Sequence, residues 1–428
     1  MGILSNLKQN QFLRHNVVFF LGSVGVGALN YLYYPVLGRL MQPSAFGEVQ
    51  TLVSIFLQLC IFLTVLSLVI VNIVTNTDDE KQRNDLVFEF EKLALIVSSG
   101  ILVLSFVFQK QLQHFLQFES PWPFPILAFC MVVTVPFILR GALVRGKQRF
   151  GIVSNGNIIA AGSKILFSAG LVAVGLGTIG AIGGVVLAQI VGCVYIGVWA
   201  YRLGLRHDEG HRHLRLPNMR ILMPELRYGA FVLLGSLAIT LQYSLDIVVV
   251  KHYFDAHTAG LYAGVASVAR IVFFLTASIS QVLISSVRMR ETAKHNTKLL
   301  TRSGLLLAAL GLPALLILIF MPSTVIRLLM GGTYEAMASL LPRLSMAIFI
   351  VSVLNLIAAY YLALRRYGIA IVAVLGLLST YALILWHHQT PAAVVTSLLQ
   401  GSIAMCGFAI VWIVGSNAKG GLSWQTKS

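Results

Sequence analysis

Two bases lie where a base is expensive. Lys164 and Arg270 fall deep in the long apolar runs 153–175 and 260–287. Each is about ten residues from the nearer end of its run, which at 1.5 Å per residue is roughly 15 Å, half of a hydrocarbon core about 30 Å thick. A charge there costs about 2.5–3.5 kcal/mol on insertion scales, and a side chain at the midplane cannot snorkel back to water. One base in each half of the chain, converging on a cavity, would hold an anionic headgroup such as a diphosphate. The alternative keeps both inside the protein: Arg270 pairs with Asp246, the acid well inside an apolar run, and Lys164 bonds backbone carbonyls. Arg39, at the end of the first run, is either a substrate or gating residue or a snorkelling anchor. Asn30 and Gln242 are the uncharged polar candidates for ligand contact, bridging between helices being the other use of such amides. Tyr31, Tyr33 and Tyr34 either stack on sugar rings or join an interfacial aromatic belt.

The elements that must carry these residues are membrane spans. Hydrophobic residues make up 57% of the 428 and charged residues 11%, against about 25% charged in soluble domains; the mean hydropathy is +0.84. Apolar runs between charged punctuation fall at 17–37, 49–73, 93–109, 124–144, 153–175, 179–201, 229–250, 260–287, 303–320, 338–362, 368–386 and 392–415. They predict an all-α, polytopic integral membrane protein with about twelve transmembrane helices. The first run carries Gly22, Gly25, Gly27, Asn30 and Pro35, a composition suited to a helix that bends and lines a cavity.

A net charge of +16 suggests nucleic acid until the bases are sorted by side. Clusters at 81–92, 140–149, 202–227, 288–302 and 365–366 share one side with both termini, while the other holds only Arg39, Lys110, Lys251, Arg327 and Arg343. The bias sets both termini in the cytoplasm and needs no nucleic-acid partner. The polar stretch 202–227, with Pro217 and Pro224, divides the chain into an N-terminal bundle at 1–201, a cytoplasmic linker and a C-terminal bundle at 228–428, each bundle with about six spans. The halves form a parallel repeat when Gly47 is laid against Gly260, so that the runs with Asn30 and with Gln242 correspond. Gly180, Gly184, Ala188 and Gly192 make a small-residue stripe for close helix packing within the first half.

Other motifs lose their usual meaning in this setting. Gly175-Leu176-Gly177-Thr178-Ile179-Gly180 matches a dinucleotide fingerprint but joins two spans. Gly141 to Gln148 lacks the hydroxyl a P-loop needs for Mg²⁺. His207, His211 and His213 belong to a basic linker without a zinc-protease order. The four cysteines sit singly in apolar runs. No carboxylate pair faces the outside, which leaves catalysis without a basis; the chain is expected to be no enzyme, with no cofactor or metal.

Gly38-Arg39-Leu40-Met41-Gln42-Pro43-Ser44-Ala45-Phe46-Gly47 resembles the signature after the first helix of polysaccharide transporters and O-antigen flippases. Arg140 to Phe150 is similar to the inner end of their fourth helix, and Asp246 with Ala259-Gly260-Leu261-Tyr262 to the opening of their second half. The resemblance spans essentially the whole chain. It implies the multidrug, oligosaccharidyl-lipid and polysaccharide exporter superfamily, with two bundles around a central cavity. It further implies alternating-access movement of a lipid-linked oligosaccharide across the bacterial inner membrane during lipopolysaccharide or other surface-glycan synthesis. Coupling to H⁺ or Na⁺, contact with membrane lipids, and partnership with a polymerase or glycosyltransferases of the same pathway follow from it. Peptidoglycan-precursor flippases usually have fourteen spans and more bases in the first helix, which this chain lacks. Two deep bases against one deep acid favour an anionic substrate over the organic cations of multidrug and toxin extrusion.

Overall fold

The computed structural model describes residues 11–76, 80–205, 219–287 and 293–418. Among them there is no strand, and every span is a helix, because a helix satisfies its own amides where no water can. The helices are α1 (Gln11–Leu40), α2 (Pro43–Asn76), α3 (Glu80–Phe115), α4 (Pro123–Gly146), α5 (Phe150–Ala173), α6 (Gly177–Arg202), α7 (Met219–Tyr253), α8 (Ala256–Ala269) and α9 (Ile271–Ser286). They continue as α10 (Ala293–Phe320), α11 (Pro322–Leu329), a 3₁₀ segment Gly332–Leu340, α12 (Leu341–Ala363), α13 (Gly368–Trp386) and α14 (Pro391–Ala418). Ten of these are long and apolar enough to cross a membrane, and the α8–α9 pair is an eleventh when taken as one span. α1, with the apolar run from Val17 to Leu37, completes the expected set of about twelve.

Local chemistry sets the helix ends. α2, α4, α11 and α14 each begin on a proline, whose missing N–H costs nothing in a first turn. The Asp255 carboxylate caps α8, accepting from the amides of His257 at 3.1 Å and Thr258 at 3.0 Å. The Thr258 hydroxyl, and then these amides, hold that carboxyl below the usual carboxylate range. Gly175, at φ +94°, turns the chain from α5 to α6, so the dinucleotide-like glycines serve a turn between spans. Inside the spans, hydroxyls of Thr51, Ser98, Thr134 and Ser267 donate to carbonyls four residues back.

The structure alters several sequence-based boundaries. α3 starts at Glu80, well before the apolar run at 93, because its charged turns stay helical beyond the hydrocarbon. The run 260–287 is broken at Arg270 into α8 and α9, bent by 43°. Neither glycine nor proline marks the break. α7 begins at Met219, so the expected linker is helical from there, while 206–218, including His207, His211 and His213, lies outside the described residues.

The chain divides into two compact units. The first comprises the described residues of Met1–Ala230 with Ile247–Val268 and Ser323–Ala338; the second comprises Phe231–Asp246, Ala269–Pro322 and Ser339–Ser428. A core of Ile70, Val87, Val135, Leu139, Leu143 and their neighbours ties α2, α3 and α4 together in the first. There the small-residue stripe of α6 works as its spacing implies: a Cβ at Gly180 would meet Leu171, one at Gly184 would collide with Ser168, and one at Gly192 would stand 2.8 Å from Phe137. In the second unit Gly401 packs on Thr380 and Gly376 on Met405. Val103, Phe106 and Val107 on α3 are exposed and suit acyl chains.

Gly184→Ala forces α5 and α6 apart and is expected to cost about 1–3 kcal/mol. Gly151→Ala, where a Cβ meets nothing within 4 Å, should leave the protein as stable as the parent or more so. Thermal unfolding of the purified protein in detergent checks the contrast.

Candidate functional site

The polar residues singled out in the sequence fall into separate arrangements. In the first unit α1 lies against α5, where a Cβ at Gly22 would clash with Ser154. Further along the same pair, Lys164 on α5 reaches α1. Its Nζ donates to Asn30 Oδ1 at 2.6 Å and stands 4.5 Å from the centroid of the Tyr33 ring. Among the described residues no carboxylate lies within ion-pair distance of this half-buried ammonium. An amide oxygen and a π face solvate it, leaving donor capacity for an anion. The tyrosines are buried, Tyr33 at 1% exposure, and pack edge-on against one another.

In the second unit the other deep base is satisfied. Arg270, at the α8–α9 break, donates from Nη2 to Asp246 Oδ1 at 2.5 Å and from Nε to the Tyr243 carbonyl at 2.9 Å. Asp246 and Tyr243 are one turn apart on α7, so both groups lie on one face. Both charged residues are buried, Arg270 at 6% and Asp246 at 2% exposure. The pair holds the broken span to α7.

Gln242 bridges three helices in the same unit. Its Nε2 donates to Thr380 Oγ1 at 2.9 Å on α13 and to Ser402 Oγ at 3.1 Å on α14. Each hydroxyl spends its own proton on a carbonyl four residues back, at Gly376 and Leu398. Both therefore accept from the amide, which sets its orientation.

Arg39 and its neighbours organise the end of the first unit that holds the α1–α2 turn. Its Nε donates to the Leu329 carbonyl at 3.2 Å and its Nη2 to the Leu328 carbonyl, capping α11. Beside it Gly47 and Gly260 meet backbone to backbone, a Cβ on Gly47 standing 2.9 Å from Gly260 Cα. Phe46 packs edge-on against Tyr334 at 5.9 Å, and Gly264 leaves room for the same tyrosine. The repeat register that pairs Gly47 with Gly260 also pairs Arg39 with His252. His252 Nδ1 lies 2.8 Å from the carbonyl of Phe115, the last residue of α3. Arg39 and His252, each in the last turn of its helix, thus engage the ends of α11 and α3.

Sequence reasoning missed two polar arrangements of this unit. Lys251 is 1% exposed, with Phe118 5.3 Å away and no hydrogen-bond partner for its amine. Nearby Glu48 accepts from Thr178 Oγ1 and from the Glu119 amide, both at 2.7 Å. Lys251 had read as an interfacial base, since nothing in sequence brings 48, 119 and 251 together. Glu91 forms a bidentate pair with Arg140, at 3.1, 3.1 and 2.7 Å. Its signal was an acid adjoining an apolar run.

Comparison with known proteins bears on what such a framework does. The model of a family described as polysaccharide biosynthesis protein matches residues 36–339. The fold is similar to that of the lipid II flippase MurJ in an inward closed conformation, at TM-score 0.69 and 14% identity, covering 94% of this chain and 87% of that one. It is also similar to an inward-facing multidrug resistance MATE family transporter of the MOP superfamily, at TM-score 0.66 and 13% identity, covering 94% and 96%. A MOP superfamily transporter from Pyrococcus furiosus, described as having a binding pocket of reverse polarity, matches at TM-score 0.62 and 12% identity over 95% of both chains. No curated protein sequence matches the chain.

Arg270→Ala removes the ion-pair partner of the buried Asp246, and should destabilise the protein by about 3–5 kcal/mol. Adding Asp246→Asn should recover part of that loss. A double-mutant cycle on unfolding in detergent measures the coupling, and additive effects would contradict the pairing.

Proposed function

We propose, from the premise that the chain belongs to the polysaccharide biosynthesis protein family, that it is a flippase carrying a lipid-linked oligosaccharide across the membrane by alternating access. A flippase or exporter is the function that family and fold together support. The observation that selects an anionic cargo is the ammonium of Lys164, held by Asn30 and Tyr33 without an acid. Of the buried carboxylates, Asp246 and Glu91 already hold arginines and Glu48 accepts from the Thr178 hydroxyl and the Glu119 amide, so each is already engaged within the protein. Lys164 is the group that would take the diphosphate linking lipid to glycan, its remaining N–H donors meeting phosphate oxygens.

In this reading residues 1–201 rock against 228–428 about the 202–227 linker. The contacts of Arg39, Gly47, Gly260 and His252 part to release cargo on the far side. Arg270, Asp246 and Gln242 keep the second unit rigid while it moves. The protein would work in the bacterial inner membrane with both termini cytoplasmic, driven by an H⁺ or Na⁺ gradient, beside a polymerase or glycosyltransferases. Cation antiport is the competing function, favoured by the MATE likeness alone.

The test is complementation of a deletion strain. Lys164→Gln is expected to abolish surface-glycan display while the protein still accumulates in the membrane, and Lys164→Arg to retain part of it. Normal glycan in the deletion strain together with hypersensitivity to organic cations would make the protein a drug exporter instead.

A further inference from the structure

A second cation of the first unit also lacks an acid. Arg145 lies in the last turn of α4, where Nη2 donates to Ser67 Oγ at 3.1 Å. Ser67 passes its own proton to the Thr64 carbonyl at 2.6 Å. The Arg145 Nε is buried with no acceptor, and among the described residues no carboxylate lies within ion-pair distance. Two acids at this end of the unit are taken up elsewhere. Glu91 holds Arg140, and Glu80 holds Lys147 at 3.2 Å and Arg83 at 3.0 Å. A guanidinium held only by one neutral hydroxyl, with a donor left over, is a costly arrangement for packing alone. It matches a ligand with two or more anionic oxygens, which the planar fork binds side-on.

The same helix leads from Arg145 to the cargo residue. Cys130, Thr134, Gly141 and Arg145 recur at spacings of four, seven and four, a stripe about 60° wide on α4. At its far end Cys130 is near Lys164. In the middle a Cβ on Gly141 would meet nothing within 4 Å. The α4 stretch from Cys130 to Arg145 rises about 22 Å, much longer than one diphosphate group. The two cations would therefore act in turn.

We propose that Arg145 is a separate docking residue for the diphosphate of the lipid-linked substrate, engaged at its end of the first unit before Lys164 is reached. This rests on the flippase reading above. Ser67 keeps the guanidinium in place between substrates, and its hydroxyl is displaced when phosphate oxygens arrive.

The test uses the full chain in nanodiscs with farnesyl diphosphate as probe, against farnesol and inorganic pyrophosphate. Arg145→Gln is expected to weaken farnesyl diphosphate binding about tenfold, with farnesol unaffected. Arg145→Lys, which keeps the charge and loses the fork, should weaken it about threefold and serves if the glutamine variant does not fold. Competition by pyrophosphate that is lost in Arg145→Gln would assign recognition to the phosphates alone; absence of competition in the parent would assign it to the lipid-borne group. Unchanged binding in both Arg145 variants, with Lys164→Gln weakened, would overturn the docking role and leave the flippase reading standing. Farnesyl diphosphate binding no tighter than farnesol in the parent would overturn both.

Discussion

The contact between Gly47 and Gly260 is the constraint from which much of the first unit follows. Two helix starts touch there at a separation that leaves no room for a Cβ, so both positions exclude every other residue unless the helices move apart. Around this point Phe46 and Tyr334 close the packing, and Arg39 and His252 engage the ends of α11 and α3. The chain has to bring residues more than two hundred positions apart into register to make it. Two ordinary side chains at these positions would force the starts of α2 and α8 apart.

Charge inside the spans obeys a second rule, that a buried ion persists only when something answers it. Arg270 is answered by Asp246 and a carbonyl, and Arg140 by Glu91. Lys164 and Arg145 are answered by an amide and a hydroxyl. The anion-binding roles proposed for Lys164 and Arg145 rest on that difference.

The apolar runs made the spans legible, since hydropathy alone dictates them, and the repeat register was legible enough to align two glycines that prove to be in contact. Proline stands at the starts of α2, α4, α11 and α14, but Pro35, Pro136 and Pro313 lie inside helices, so proline alone does not mark a helix end. The break at Arg270 was hidden because no glycine or proline announces it. What stands at the break is the pair with Asp246 and the bond to the Tyr243 carbonyl, both across helices. The helical extension of α3 to Glu80 was hidden for a different reason: charged residues end an apolar run without ending a helix. Sequence left both uses of Lys164 and Arg270 open; folding sets Arg270 against Asp246 and Lys164 against Asn30. Lys251 and Glu48 were illegible, their surroundings being assembled from four distant segments.

The most direct measurement is reconstitution of the purified protein into vesicles holding a fluorescent polyprenyl-diphosphate-linked oligosaccharide, with its exposure on the two leaflets followed over time. The account predicts that the parent protein equilibrates the labelled lipid far faster than protein-free vesicles do, with no comparable transport of an organic cation. Cation transport with the labelled lipid left on its original leaflet would contradict it.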